Sequence, residues 1–292
     1  MLGEIRGEVR FKELLSFHTS LRIGGPADIF VVPQDLDDIR HALLFADREQ
    51  LPVVVIGGGN NLLVKDRGVR GVVLKLEGCL GRAEFHGEEV VAGAGVSLSA
   101  LIREAAALNL GGVESLVGIP ATIGGALAMN AGTEDGCIGD FVSAAYFLHA
   151  DGTIGEFKPA ARAFTYRTFH FPPGAVLVGC RLQFHRRPLA EIQKDIKQRL
   201  KVKKATQPLA LASAGCVWKN PPGGSAARLI EKSGLKGKRL NGAEISSKHA
   251  NFIVNRGAAA AADILTLMDL ARDRVQTNFA ITLENEIRII GE

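Results

Sequence analysis

The feature that most constrains this chain is a run of three glycines, Gly57-Gly-Gly-Asn-Asn61, entered directly from the apolar run Val53-Val-Val-Ile56. A short β-branched run of this kind reads as a buried strand, and glycines at its end let the backbone turn sharply or approach a partner closely. The pattern recurs where Val90-Val91 leads into Ala92-Gly-Ala-Gly95. A third segment, from Gly118 to Gly132, has neither strand alternation nor a clean helical period, and reads as an extended loop around a short helical turn. Loops of this kind turn several N–H groups toward an anion, and a pyrophosphate suits them. A Rossmann site requires G-x-G-x-x-G between strand and helix. Here Gly57 and Gly59 are followed by Leu62, and Gly93 and Gly95 by Leu98, so both loops fail at the third glycine.

Around these loops the sequence reads as mixed α and β. Strands are expected at Ile29 to Val32, Leu62 to Val64 and Val72 to Leu76, with a helix between, whose face is Leu36, Ile39, Leu43 and Ala46 and whose cap is near Asp35. A second helix has the face Leu98, Leu101, Ile102 and Ala105, with Ser97 as its cap and Gly111-Gly112 as its stop. Strand-like segments follow at Ala145 to His149, Ile154 to Phe157 and Val176 to Phe184. A helix from Leu189 to Lys204, ending before Pro208, reads as a connector between domains. Beyond it come a helix near Ala226 to Lys232, a strand at Asn251 to Asn255, a long helix from Asp263 to Phe279 and a closing strand from Glu286 to Ile290.

With 292 residues, 47% of them hydrophobic, the chain can bury a sizeable core and divide into two or three domains. The 35 basic and 31 acidic residues leave a net charge of +4, which favours small anions and falls far short of a nucleic-acid-binding face. The densest basic run, Lys194 to Lys204, coincides with Ile192, Ile196 and Leu200 at helical spacing and reads as the solvated side of an amphipathic helix. Cys79, Cys137, Cys180 and Cys216 are too scattered for a disulfide framework or a zinc site, and no metal is expected. No apolar stretch is long enough to span a bilayer, so a cytoplasmic location without membrane insertion is the expectation.

Six segments in order resemble the UDP-N-acetylenolpyruvoylglucosamine reductase (MurB) family, nearly end to end. They are Thr19-Ser-Leu-Arg-Ile-Gly-Gly-Pro-Ala27, Gly57-Gly-Gly-Asn-Asn-Leu-Leu-Val64, the segment from Gly118 to Gly132, Tyr166-Arg167, Ala214-Gly-Cys-Val-Trp-Lys-Asn-Pro221 and Leu283-Glu-Asn-Glu-Ile-Arg288. The chain runs from Pro221 through Ser225-Ala-Ala-Arg-Leu-Ile-Glu231 to His249-Ala-Asn-Phe-Ile-Val-Asn255 without a tyrosine-bearing substrate loop, similar to the family's second subtype. It departs from the family pattern at Asn60, where serine is usual, at Ala121, where glycine is, and at Thr133-Glu-Asp135, which replaces an Ala-Tyr turn.

The resemblance implies an α+β fold, a two-part FAD-binding domain of the vanillyl-alcohol-oxidase type plus a smaller α/β substrate-binding domain. The corresponding divisions are 1–76 joined by 282–292, then 77–204, then 205–281. It implies non-covalent FAD held by Ile56, Gly57, Gly58, Gly59, Asn60, Asn61, Leu62, Gly93, Ile119, Pro120, Thr122, Gly124, Gly125, Ala126 and Asn130. It further implies that NADPH reduces the flavin and that UDP-N-acetylglucosamine enolpyruvate is then reduced to UDP-N-acetylmuramate during peptidoglycan synthesis. A monomer is expected.

Three residues are assigned chemistry by the resemblance. Arg167 would bind the substrate carboxylate and stabilise the enolate-like charge, a task for which its planar fork is suited. Cys216 stands where the family usually carries a proton-donating serine. A free thiol titrates near about 8.5 and is a better acid than a hydroxyl, although an unpaired cysteine is more commonly a small buried hydrophobe. Glu286 matches the family's catalytic glutamate, with Glu284 as a nearby decoy. Tyr166, Lys203, Lys219 and Asn220 are the expected substrate contacts, with Lys204 as an alternative to Lys203.

Overall fold

Five strands open the chain: β1 (Glu8–Leu14), β2 (Pro26–Val32), β3 (Val53–Ile56), β4 (Leu62–Val64) and β5 (Val69–Lys75). Four of them form a sheet in the order β1-β2-β5-β3, with β3 and β5 parallel from Val53↔Val72 to Ile56↔Lys75. Because β3 is an edge strand it is less buried than its β-branched sequence suggests, and Val55 is 41% exposed. Helix α1 (Leu36–Arg48) begins where expected: the Asp35 carboxylate accepts from the amides of Asp37 and Asp38. The computed structural model describes residues 2–76, 78–149, 151–160 and 163–292, which divide into two units. The first comprises Met1–Arg10, Ile29–Gly58 and Gly71–Lys203, and the second Phe11–Asp28, Gly59–Arg70 and Lys204–Glu292.

The first unit holds two apolar cores. One packs Ile39, Ala42 and Ala46 of α1 against Val31, Val72 and Leu74. The other lies against an antiparallel five-stranded sheet ordered Ile154–Phe157, Val142–Leu148, Val176–Gln183, β7 (Glu89–Gly93), β6 (Ala83–His86). Helix α2 (Leu98–Ala107) buries Leu98, Leu101, Ile102 and Ala105 there, and each large side chain contributes about 1.5–3 kcal/mol. Its ends differ from expectation. Ser97 occupies the cap position without a side-chain bond to the backbone, and the stop is Asn109, in the left-handed region at φ 58°. Asparagine tolerates that conformation, so the glycines further on are not needed to end the helix. Gly111 instead pairs with His185 in a short ladder.

Helix α3 (Ile123–Ala128) is the short turn inside the third glycine segment. Helix α4 (Leu189–Thr206) buries only Ile192, and Leu200 is 41% exposed, so its apolar face is narrower than its spacing suggests. In the second unit a four-stranded antiparallel sheet runs Ala212–Cys216, Phe252–Asn255, Ala243–Ile245, Arg239–Leu240. It packs with α5 (Ala226–Lys232) and α6 (Ala261–Phe279) around the fully buried Trp218, while Arg288–Ile290 pairs in parallel with β4.

Candidate functional site

The three glycine segments of the first unit meet at Thr122. A Cβ on Gly57 would lie 2.3 Å from Thr122 Oγ1, and one on Gly124 would lie 2.9 Å from the Cβ of Ala94. The loop after β7 is as closely confined, since a Cβ on Gly93 would lie 2.1 Å from Leu80 O and one on Gly95 1.9 Å from Cys79 O. Ile123 N donates to Val96 O and Gly124 N to Ala94 O, both at 2.8 Å, and Gly125 N donates to Thr122 Oγ1 at 3.3 Å. The first amides of α3 are therefore engaged within the chain. What Gly57, Gly124 and their neighbours provide is backbone stripped of side chains, with the exposed Pro120 and Gly125 at its rim. Ile56, Gly58, Ile119 and Ala126 belong to these same segments.

Asn130 stands at the exit of the third segment. It is buried, has φ 41°, donates Nδ2 to Thr165 O at 2.9 Å and accepts the Gly139 amide on Oδ1 at 3.1 Å. Thr165 begins a two-residue turn: Phe164↔Phe169 and Thr165↔Thr168 pair, leaving Tyr166 and Arg167 at the tip. Phe164 stacks on Phe169 at 4.2 Å, within a group that includes Phe147 and Phe171, so the base of the hairpin is fixed in the core. Arg167 adopts φ 58°, uncommon for a residue with a side chain, and its guanidinium carbon lies 5.1 Å from the centre of the Tyr166 ring. Lys203 donates Nζ to Val117 O at 2.7 Å and its chain covers Gly118, which ties α4 to the start of the third glycine segment.

The second unit brings the segments bearing Cys216 and Glu286 together, since Glu286 N donates to the carbonyl of the residue after Cys216. Cys216 pairs with Phe252 after a register shift in which Gly215 takes φ 79°, a bulge of the type that re-aims the following side chain. Beyond it, Glu286 N donates to Val217 O and Lys219 N to Glu284 O, both at 2.8 Å. Lys219 Nζ lies 3.5 Å from a Glu284 carboxylate oxygen. Asn220 accepts the Ala226 amide at 3.1 Å, at the start of α5. Gly59, at φ 64°, rests against the chain at His18, where a Cβ would lie 2.0 Å from His18 O. Asn61 Nδ2 donates to Glu286 O at 3.1 Å and Arg288 N to Asn61 O at 2.9 Å, which joins the segment Gly59-Asn60-Asn61-Leu62 to the stretch bearing Glu286; the closing strand itself is Arg288–Ile290, two residues later than its expected start at Glu286. Cys216 is half-buried, whereas burial pushes the thiols of Cys79 and Cys180 up to about 11 and about 12.

Sequence reasoning did not single out Ser20 and Asn251. Ser20 donates Oγ to Ser213 O at 2.8 Å and its amide to Gly59 O at 3.1 Å. Asn251 bonds both backbone groups of Trp218. Neither carries a signal of its own, because a serine in a turn and an asparagine before a strand are ordinary.

Residues 27–158 match the family model described as FAD binding domain, and residues 207–290 match UDP-N-acetylenolpyruvoylglucosamine reductase, C-terminal domain. A UDP-N-acetylenolpyruvoylglucosamine reductase of Anaeromyxobacter sp. is 46% identical over 99% of this chain and 90% of its own length. A reductase of the same description, numbered 2, from Symbiobacterium thermophilum is 43% identical over 98% of this chain and 93% of its own. The crystal structure of the Thermus caldophilus reductase (MurB) superposes with a TM-score of 0.84 at 38% identity, covering 98% of this chain and 100% of that one. The chain belongs to the UDP-N-acetylenolpyruvoylglucosamine reductase family. It therefore carries an FAD-binding domain, and the fold expected from the motifs is the one present. That domain spans Ile56 to Leu62, Gly93 and Ile119 to Asn130, while the family's C-terminal domain spans Cys216, Lys219, Asn220 and Glu286. Tyr166, Arg167 and Lys203 fall between the two matches. Closely apposed backbone free of side chains at Gly57 and Gly124 fits the close approach of an extended cofactor.

Proposed function

We propose that this chain reduces UDP-N-acetylglucosamine enolpyruvate to UDP-N-acetylmuramate with NADPH, as a step in peptidoglycan precursor synthesis. The observation that carries the reading is near-full-length identity of more than two-fifths to reductases of that description. FAD held by the glycine segments would supply the two-electron redox chemistry between NADPH and the substrate. The FAD contacts are those of the glycine segments: Ile56 to Leu62, Gly93, and Ile119, Pro120, Thr122, Gly124, Gly125, Ala126 and Asn130.

The chain's own groups then have three tasks. Arg167, held at a hairpin tip over Tyr166, pairs with the substrate carboxylate and stabilises the negative charge that grows on it as the double bond is reduced. Cys216 Sγ delivers one proton to the carbon next to that carboxylate, and the thiolate left behind regains a proton from water. Glu286, hydrogen-bonded through its amide to the residue after Cys216, assists that transfer. Lys219, with Lys203 and Asn220, holds the phosphate or nucleotide part of the substrate, and Tyr166 contacts the substrate alongside Arg167. Three divisions of the chain at about 77 and 205, a monomeric state and a cytoplasmic location complete the reading. No helix among the described residues is long and apolar enough to cross a membrane.

Anaerobic stopped-flow absorbance tests it. NADPH is expected to bleach the flavin band, and subsequent UDP-N-acetylglucosamine enolpyruvate to restore it. Bleaching without recovery would retain a flavin enzyme and reassign the substrate to another alcohol or sugar. Full-rate recovery in Glu286→Gln would remove Glu286 from the mechanism.

A further inference from the structure

We propose that Asn251 is a positioning residue for the protonation step, its carboxamide setting the pose of Cys216 relative to Glu286. The proposal rests on the proposed roles of those two residues.

The ladder between Ala212–Cys216 and Phe252–Asn255 ends at the pair Cys216↔Phe252. Past that point the chain must exchange one partner for another. Val217 N still reaches Asn251 O at 2.8 Å, while Val217 O already accepts from Glu286 N at 2.8 Å. Trp218 forms a bridge with Asn285, and Lys219 N bonds Glu284 O at 2.8 Å. At the exchange, both backbone groups of Trp218 are met by one side chain: Asn251 Oδ1 accepts Trp218 N at 2.9 Å and Asn251 Nδ2 donates to Trp218 O at 2.8 Å.

Trp218 is fully buried and Asn251 is 3% exposed, so water cannot substitute for that carboxamide. The clamp acts on the peptides that join Cys216 to the segment bearing Glu286. Rotation about Val217–Trp218 would swing the Cys216 thiol and shift the Val217 carbonyl from the Glu286 amide in the same movement. The bulge at Gly215, at φ 79°, removes side-chain restraint just before Cys216, which leaves the Asn251 side as the stiff end. Asparagine matches the task because it donates and accepts from one planar group.

The test compares Asn251→Asp, Asn251→Ser, Cys216→Ala and the combined variants as FAD-loaded enzymes. Asn251→Asp keeps an acceptor for Trp218 N and loses the donor to Trp218 O, and Asn251→Ser shortens the reach. Reduction of the flavin by NADPH is expected to be unchanged. Reoxidation by UDP-N-acetylglucosamine enolpyruvate is expected to slow about 10- to 100-fold, the scale of a misplaced reacting group, with no further slowing when Cys216→Ala is already present. Alkylation of Cys216 by iodoacetamide, mapped by peptide mass with Cys137 as the internal reference, is expected to change several-fold. Unchanged reoxidation with unchanged alkylation, equal loss in both half-reactions, full additivity with Cys216→Ala, or failure of both Asn251 variants to fold would each overturn the proposal. Should Cys216→Ala reoxidise at full rate, the donor role fails instead, and the alkylation result alone decides whether Asn251 orients that thiol.

Discussion

The glycine loops of the first unit and the Cys216–Lys219 crossing of the second solve the same problem by opposite means. At those loops irregular backbone is brought together by leaving atoms out: Gly57 against Thr122, Gly124 against Ala94, Gly95 against Cys79. Around the crossing it is held by adding polar side chains, with Asn251 on Trp218, Ser20 on Ser213 and Asn61 on Glu286. Asp66 works in the same way, accepting from the amides of Ala261 and Ala262 at 2.8 and 3.0 Å to cap α6 from 195 residues away. A missing side chain fails by collision, and a clamp fails by leaving a buried group unpaired. Substitutions should separate the two by size and by pH dependence.

The largest effect is expected at Gly95. Its Cβ would lie 1.9 Å from Cys79 O and 2.4 Å from Leu76 O, two backbone atoms that no rotamer change can move. Gly95→Ala should cost on the order of 3 kcal/mol, read as a lower denaturant midpoint. A stable Gly95→Ala protein would show that the loop after β7 is not built by close approach.

Next comes Glu244, the most deeply buried polar clamp of the second unit at 1% exposure. Its carboxylate takes Nε and Nη2 of Arg256 at 2.9 and 3.0 Å and is also paired with Arg239. The Arg256 hydrogen bonds hold its pKa below the ordinary 4.5, against the opposing effect of burial and with added help from Arg239. A lowered folded pKa means that the stabilisation is present in full above the unfolded value and is lost as pH falls through the folded one. Glu244→Gln should cost about 2 kcal/mol at neutral pH, and the gap to the parent should close below about pH 4.5. A gap independent of pH would mean that Glu244 matters only for packing. Gly95→Ala should show no such window.

The same contrast explains what the sequence could disclose. Glycines mark themselves, so the loops at Gly57, Gly93 and Gly118 were legible, as were α1 with its Asp35 cap and the buried face of α2. The strand Ala212–Cys216 was not, because Ala-Ser-Ala-Gly-Cys has little β propensity and is a strand only through its partner Phe252–Asn255. β1 was missed for a related reason: most of Glu8–Leu14 is exposed, so it shows no alternation. Among the proposed site residues, Arg167, Cys216 and Glu286 could be assigned their proposed chemistry through motif. The asparagine at 251 was not, since its task depends on a strand end and a crossing that local sequence does not encode.

The smallest expected effect is also the sharpest test. A Cβ on Gly57 would meet Thr122 Oγ1 at 2.3 Å but Thr122 Cβ only at 3.4 Å, an ordinary contact. The collision is thus with one rotatable oxygen, the same oxygen that caps α3 through Gly125 N. Gly57→Ala should turn Thr122 out of its capping rotamer and cost about 1 kcal/mol, the usual value of such a cap. Thr122→Ala removes the same bond and should cost as much. Once the hydroxyl is gone nothing remains for the new methyl to displace, so the double variant should be no less stable than either single one, with a coupling of about 1 kcal/mol in a denaturation cycle. Additive losses would place the strain of Gly57→Ala in the backbone, as at Gly95, and would remove the distinction between a glycine that avoids a main chain and one that makes room for a cap.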